Sequence, residues 1–300
     1  MSLVLFFPGL TPTTYDAISE FATTHAYAKQ RFAEADEVLG YSLIEAYKKA
    51  SIYDWEVYQS GVMALALALA DWAEEHYAEQ PGLCGGQSYG AVMAAVRAGT
   101  LSYADALRLM SRSVRVEQDY FASQPEPIGC HFFYKLSYDT VMRLIEEFRA
   151  QGEWMELSIA FDASVHAVSA SLGAIARFEE RVRQEGGIPF YTVDRAEHCS
   201  ANAGLRDRLA KEVYGSVTWN DPVIPIISDV DGRLLTEGAA VREDLLDGWT
   251  TPIHWQTIVQ GISRGGGDRV WIPGPRNMFA RISNRVFPTR VISPRTALAA

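Results

Sequence analysis

Cysteine is scarce in this chain of 300 residues: Cys84, Cys130 and Cys199 make an odd number, with no Cys-x-x-Cys spacing and no histidine pair beside them. That excludes a disulfide-stapled scaffold and a zinc-ribbon type of site, and it suits a reducing cytoplasm. Positive charge is also short. Against 37 Asp and Glu stand 27 Lys and Arg, a formal charge of -10, so the chain as a whole repels a phosphate backbone and nucleic acid is not expected as a partner. Long apolar runs are missing too. The longest, 61–73, is broken by Asp71 and falls short of the roughly 20 residues a membrane span needs, so it reads as a buried helix and no membrane partner is expected. The opening apolar run lacks a basic segment before it and a cleavage site after it, and reads as a strand rather than a signal peptide. Repeats and low-complexity tracts are absent. What remains is 48% apolar residues, enough for one large core or a large core with a smaller unit inserted.

Residues 3–7 are continuously apolar and end in Pro8-Gly9, the pattern of a strand buried on both faces of a parallel sheet. Helices are expected at 13–26, 42–50 and 55–79, then a short strand leading into Gly86-Gln87-Ser88-Tyr89-Gly90 and a helix over 91–98. From about 125 to 193 the rhythm changes to strand, helix, strand, strand, helix, strand (129–134, 138–151, 155–161, 167–170, 171–185, 187–193), which is the split βαβ, ferredoxin-like pattern. The fold class is therefore α/β. Residues 1–124 and 194–300 form a parallel-sheet body, and 125–193 an inserted subdomain. Further pieces are expected at 203–214, 223–228, 242–247, 270–273 and 277–285, with 293–300 as a loose tail.

Gly86-Gln87-Ser88-Tyr89-Gly90 has the Gly-x-Ser-x-Gly form of a nucleophile elbow, in which glycines let a strand turn sharply into a helix and expose a serine hydroxyl. A glycine-rich helix cap is the other reading of the same residues. Ser88 as nucleophile needs a base, and six histidines are available. His25 and His76 read as solvated, His131 and His254 as structural. His198 lies in the irregular run Asp194-Arg195-Ala196-Glu197-His198-Cys199-Ser200, where position by itself leaves it one candidate.

Several landmarks together resemble the malonyl-CoA:acyl-carrier-protein transacylase family, which includes stand-alone transacylases and the acyltransferase domains of polyketide synthases. Phe7-Pro8-Gly9-Leu10 is similar to the family's Phe-Pro-Gly-Gln, and the elbow to its Gly-His-Ser-Leu-Gly. Residues 98–109 resemble the segment after the serine, and 193–199 the Val-Asp-Tyr-Ala-Ser-His-Ser of some polyketide acyltransferases; 222–232, 251–255 and Gly274-Pro275 follow in order. The resemblance spans the chain and implies a hydrolase-like body with a ferredoxin-like insertion. It implies Ser88 as nucleophile, His198 as base, the N–H groups of Leu10 and Tyr89 as oxyanion hole, and a main-chain carbonyl of Thr250 or Thr251 to orient the histidine. Gln59 matches a site-lining glutamine, or caps a helix. No bound cofactor or metal is implied: the substrates are phosphopantetheine thioesters on acyl carrier protein or CoA.

Departures from the family bear on the acyl group. Ser113 stands where malonyl-specific members carry the arginine that holds the free carboxylate, and Arg112 and Arg115 are turned about 100° and 200° away around a helix. Gln87 replaces the usual histidine, Leu10 the usual glutamine, and His166 aligns with a glutamine. Arg195 is a candidate displaced clamp and Glu197 a candidate partner for an amine, unless the two pair with each other at the pocket rim. The expected function is acyl transfer to or from a carrier protein in polyketide assembly, in the cytoplasm, with a non-malonyl group. A carrier-protein thioester hydrolase and a malonyl transferase with a displaced arginine are the alternatives. An acidic carrier would need a local basic surface, for which Arg276, Arg281, Arg285, Arg290 and Arg295 are candidates.

Overall fold

The computed structural model describes residues 2–10, 12–274 and 278–300. In chain order these form β1 (Ser2–Phe7), α1 (Ser19–Thr24), α2 (Ala26–Leu39), α3 (Leu43–Tyr47), α4 (Trp55–His76), β2 (Leu83–Gly86), α5 (Tyr89–Arg97) and α6 (Tyr103–Ala122). Then follow β3 (Ile128–Tyr134), α7 (Tyr138–Ala150), β4 (Met155–Ala160), β5 (Val165–Ser171), α8 (Leu172–Gln184) and β6 (Ile188–Val193). The remainder comprises α9 (Ala203–Glu212), β7 (Ile226–Ile227), β8 (Leu234–Leu235), α10 (Gly238–Asp247), β9 (Ile253–His254), α11 (Trp255–Arg264), β10 (Gly267–Pro273), α12 (Met278–Ser283), β11 (Thr289–Ile292) and α13 (Pro294–Leu298).

Two sheets result. The larger has the order β11-β10-β1-β2-β7-β8 and is parallel except for β8, which returns antiparallel on β7. β1 sits inside it between β10 and β2, and Leu3, Val4, Leu5, Phe6 and Phe7 are at most 2% exposed because helices cover both faces. Each of those side chains contributes about 1.5–3 kcal/mol by leaving water, so the strand that carries the site's N-terminal loop is anchored firmly. α4 is buried over most of its length, with Gly61 leaving room for the Tyr47 ring that a Cβ there would strike. No helix among the described residues is long and apolar enough to cross a membrane.

The smaller sheet has the order β6-β3-β5-β4-β9, antiparallel except for β4 with β9. α7 and α8 bury Leu144, Ile145, Phe148, Ile175 and Phe178 on one of its faces, while Phe132, Ile159 and Ala167 on the other join the body's core. The expected fold class, a hydrolase-like parallel-sheet body with a ferredoxin-like sheet, is what the chain adopts. β9, contributed from far along the chain, is an addition that the strand pattern of 125–193 does not contain.

Some expectations differ from the structure. The single helix expected at 13–26 is a short 3-10 turn at Tyr15–Ala17 and then α1, stopped where His25 turns extended (φ -79, ψ 134), and α2 begins at once. Only Ile226–Ile227 of the run 223–228 pairs as a strand, and Val223 is 78% exposed. The tail is not loose: Ser293 caps α13, exchanging hydrogen bonds with Thr296. Asn277, expected to open the last helix, and Arg276 of the basic group lie outside the described residues.

Candidate active site

β1 and β2 run side by side with Phe7 opposite Gly86, so the two strands deliver the Pro8-Gly9-Leu10 loop and the Ser88 turn to the same end of the sheet. The turn is tight. Gln87 N–H donates to the Phe7 carbonyl at 3.0 Å, Gly90 N–H to the Gln87 carbonyl at 2.8 Å, and Ser88 adopts φ 54, ψ -127, a strained conformation for a residue with a side chain. The glycines have a steric reason: a Cβ on Gly86 would run into the Gly90 carbonyl, and one on Gly90 into the carbonyls of Phe7 and Pro8. Ser88 therefore stands at the N-terminus of α5 with its hydroxyl free of the sheet.

His198 meets it from 110 residues away. Its Nε2 lies 2.9 Å from Ser88 Oγ and its Nδ1 lies 2.6 Å from the Gly248 carbonyl oxygen. A carbonyl only accepts, so Nδ1 carries the proton and Nε2 is left as a base facing the serine hydroxyl. Burial pushes the His198 pKa below its ordinary 6.5, which keeps the ring neutral at pH 7. The orienting carbonyl thus belongs to Gly248 and not to Thr250 or Thr251. Thr250 instead donates its hydroxyl to the Asp247 carbonyl at 3.1 Å, closing the turn after α10, and that turn exposes the carbonyl two residues earlier. Among the described residues, no hydrogen-bond acceptor is met by the N–H groups of Leu10 and Tyr89.

Two chambers flank Ser88. The first is lined by Gln59, Met110, Ser113, Tyr214, His198 and Asp229 among others. The second lies in the cleft between the sheets and is walled by Leu10, Trp55, Gln87, Phe132, Phe161 and Tyr191. Met110, Ser113 and Glu117 share the buried face of α6 because they are three and four residues apart. Ser113 Oγ, Gln59 Oε1 and Gln87 Oε1 are all buried and, among the described residues, meet no hydrogen-bond partner.

Arg195 and Glu197 border both chambers, and they do pair, at 3.1 Å, but in the interior rather than at a rim. Arg195 also binds Glu117 Oε2 at 2.5 Å and lies 3.9 Å above the Trp55 ring. Its guanidinium is thus committed to protein carboxylates. Arg112 reaches Ser216 and the Glu212 carbonyl on the exposed side of α6, and Arg115 is exposed; neither borders a chamber. His166 also lies off the site. Alternation along β5 turns it with Val168 and Ala170 toward α7, where its Nε2 meets the Leu136 carbonyl at 3.1 Å, while Ala167 faces the cleft.

Three contributors went unread in the sequence: Gly248, Glu117 and Asp229, whose Oδ2 accepts the Ser88 N–H at 2.6 Å. For Asp229 a signal existed, since it follows β7 at the carboxyl end of a parallel strand, where ligand sites of such sheets gather.

A protein-family profile described as "VinK acyltransferase small domain" matches residues 133–193. The malonyl CoA-acyl carrier protein transacylase of Escherichia coli O157:H7 is 25% identical over 302 residues, covering 96% of this chain and 93% of that protein. This chain is a homologue of the malonyl-CoA:acyl-carrier-protein transacylases. The corresponding protein of Haemophilus influenzae is 23% identical over 94% of this chain and 91% of its own. In three dimensions the acyl-carrier-protein S-malonyltransferase of Burkholderia pseudomallei superposes with a TM-score of 0.87 at 22% identity, covering 100% of this chain and 99% of that one. A malonyl-transacylase solved in complex with its type II PKS acyl-carrier protein gives 0.86 at 22% identity, with 100% and 98% covered. The likeness in sequence and in fold runs over nearly the whole chain, as the landmarks of the sequence imply.

Proposed function

We propose that the protein transfers an acyl group between phosphopantetheine thioesters, with acyl carrier protein as partner and acyl-Ser88 as intermediate. The observation that carries this reading is the contact of Ser88 Oγ with a His198 Nε2 whose proton is held on the far nitrogen by Gly248. As Oγ attacks the thioester carbon, His198 takes its proton, and the carbonyl oxygen gains negative charge between the Leu10 and Tyr89 amides. Collapse of the adduct expels the first thiol, which takes the proton from His198. A second pantetheine thiol then repeats the sequence in reverse.

The acyl group in this reading has no free carboxylate. A malonyl group in the first chamber would meet Ser113 in place of a cation, and Arg195, the one cation bordering the chambers among the described residues, is already paired. Burying the carboxylate unpaired costs several kcal/mol. The unpartnered Gln59 and Gln87 carbonyl oxygens and Ser113 hydroxyl favour a group that brings N–H donors, such as an amine or amide. The reading extends to polyketide assembly, supported by the type II neighbour and the altered pocket.

The test is intact mass after exposure to paired malonyl and aminoacyl or neutral thioesters. We expect a single adduct, absent in Ser88→Ala, formed faster from the neutral or amine-bearing donor, with Ser113→Arg shifting the preference toward malonyl. The adduct should outlast minutes in water and discharge onto a carrier-protein thiol. Rapid loss indifferent to carrier would make the protein a thioester hydrolase, and a malonyl preference in the wild type would refute the acyl-group assignment.

A further inference from the structure

The nucleophile's own amide is held by a side chain. Ser88 N–H donates to Asp229 Oδ2 at 2.6 Å, and Asp229 is 4% exposed at the edge of the first chamber. It is the one side chain, among the described residues, that accepts a hydrogen bond from the main chain of the Gly86–Gly90 turn, whose other restraints are main chain to main chain. The amide it holds precedes the strained φ 54 of Ser88, so the contact bears on the torsions that aim Oγ.

The surroundings of Asp229 are acidic. Asp244, on α10, accepts the Ser228 hydroxyl at 2.6 Å and stands 3.7 Å from the Arg233 guanidinium, with Asp231 and Asp247 nearby. His198, Arg195 and Glu197 face the same chamber from the segment after β6, Tyr89 faces it from α5, Tyr214 from the turn after α9, and Asp244 from α10. No ion pair reaches Asp229 among the described residues, so its charge rests on the Ser88 N–H and its own N–H. Burial and then Asp244 push its carboxyl up to about 7, far from the ordinary carboxylate range, and Asp244 is itself pushed up to about 6. The hydrogen bond to Ser88 thus changes character near neutral pH: an ionised carboxylate is a markedly stronger acceptor than a neutral one.

We propose that Asp229 is a positioning residue for acylation, whose ionised carboxylate fixes the Ser88 amide and thereby holds Ser88 Oγ at His198 Nε2. The proposal rests on Ser88 being the acylated residue. Acylation in the wild type then falls as pH drops through about 7, where Asp229 takes up a proton, before His198, with its pKa below 6.5, is protonated.

The experiment measures the rate of acyl-mass gain on Ser88 against pH and donor concentration for wild type, Asp229→Asn and Asp229→Ala, with circular dichroism on each. Asp229→Asn keeps an acceptor oxygen of the same shape. It should load at pH 8 at about the lowered rate that the wild type reaches once Asp229 is protonated, with no acid limb near pH 7. Asp229→Ala should lose about tenfold to hundredfold in the maximal loading rate with the half-saturating donor concentration unchanged. An acid limb that stays near pH 7 in Asp229→Asn overturns the proposal even if the alanine variant fails to fold, and so does wild-type loading by folded Asp229→Ala. A wild type that gains no acyl mass at all overturns the proposed function and this inference together, whereas loading unaffected by either variant overturns only the inference.

Discussion

Replacing Arg195 by methionine tests whether its guanidinium is structural or free to hold a substrate. In the structure it is 6% exposed, paired with Glu117 and Glu197, and stacked on Trp55. Glu117 is 2% exposed, with Oε1 unpartnered among the described residues, so Arg195→Met leaves a carboxylate with no counter-charge among them and a second carboxylate close by. Removing one partner of such a pair costs about 3–5 kcal/mol. At roughly 2.1 cal/mol/K per residue, a chain of 300 residues unfolds with an entropy near 0.6 kcal/mol/K, so the loss becomes about 5–8 °C in Tm. Burial already raises the Glu117 pKa above its ordinary value against the opposing pull of Arg195, and removing Arg195 raises it further. A carboxyl whose pKa is higher folded than unfolded binds its proton more tightly in the folded state, so stability is regained as pH falls and lost as it rises through the folded pKa. Thermal unfolding by near-ultraviolet circular dichroism at pH 8 and pH 5.5 should therefore show a large deficit at pH 8 and a smaller one at pH 5.5. Adding Glu117→Gln to the variant should recover about half of the pH 8 deficit, because Glu197 is nearer to solvent. A single variant as stable as the wild type at pH 8, or a double variant no more stable than the single, would refute the reasoning and return Arg195 to the list of carboxylate clamps.

His198→Ala should slow loading by about 10³-fold or more while leaving the far-ultraviolet spectrum unchanged, and loading at near wild-type rate by folded variant would remove the histidine from the chemistry. Gly90→Ala should cost about 3 kcal/mol or more by urea unfolding and abolish loading, because the added methyl meets the main-chain carbonyls of Phe7 and Pro8, which have nowhere to go. A stable, active alanine variant would show that the turn is looser than its geometry implies.

The parts of the site legible in the sequence are those with local causes. β1 announces itself by five apolar residues in a row, and the elbow by two glycines whose missing methyl groups are needed within five residues. α2 was not legible because the positions it buries are Ala28, Phe32 and Ala35, too few and too small to stand out from its polar residues. The Gly248 carbonyl is main chain and carries no residue signature, so the sequence points to Thr250 and Thr251 while the structure uses Gly248. Glu117 and Arg195 meet across 78 residues, and Ser88 and Asp229 across 141; only the folded sheet order brings β7 beside β2 and so Asp229 beneath the serine. Alignment places His166 at the site, whereas strand alternation turns it toward α7 and the Leu136 carbonyl.

The two-residue strand β9 has a consequence for exchanging parts between related proteins. Ile253 and His254 cap the open edge of β4, and the chain runs on from them into α11, whose Trp255, Ile258 and Ile262 are buried in the body's core. Residues 128–193 are thus stitched to the rest at a third point as well as at their two ends. A chimera that swaps only that segment would bring a foreign β4 edge against the resident Ile253–His254. Its cleft, and with it the second chamber, would be set by how well that seam matches, so the segment to transplant includes the strand that closes it.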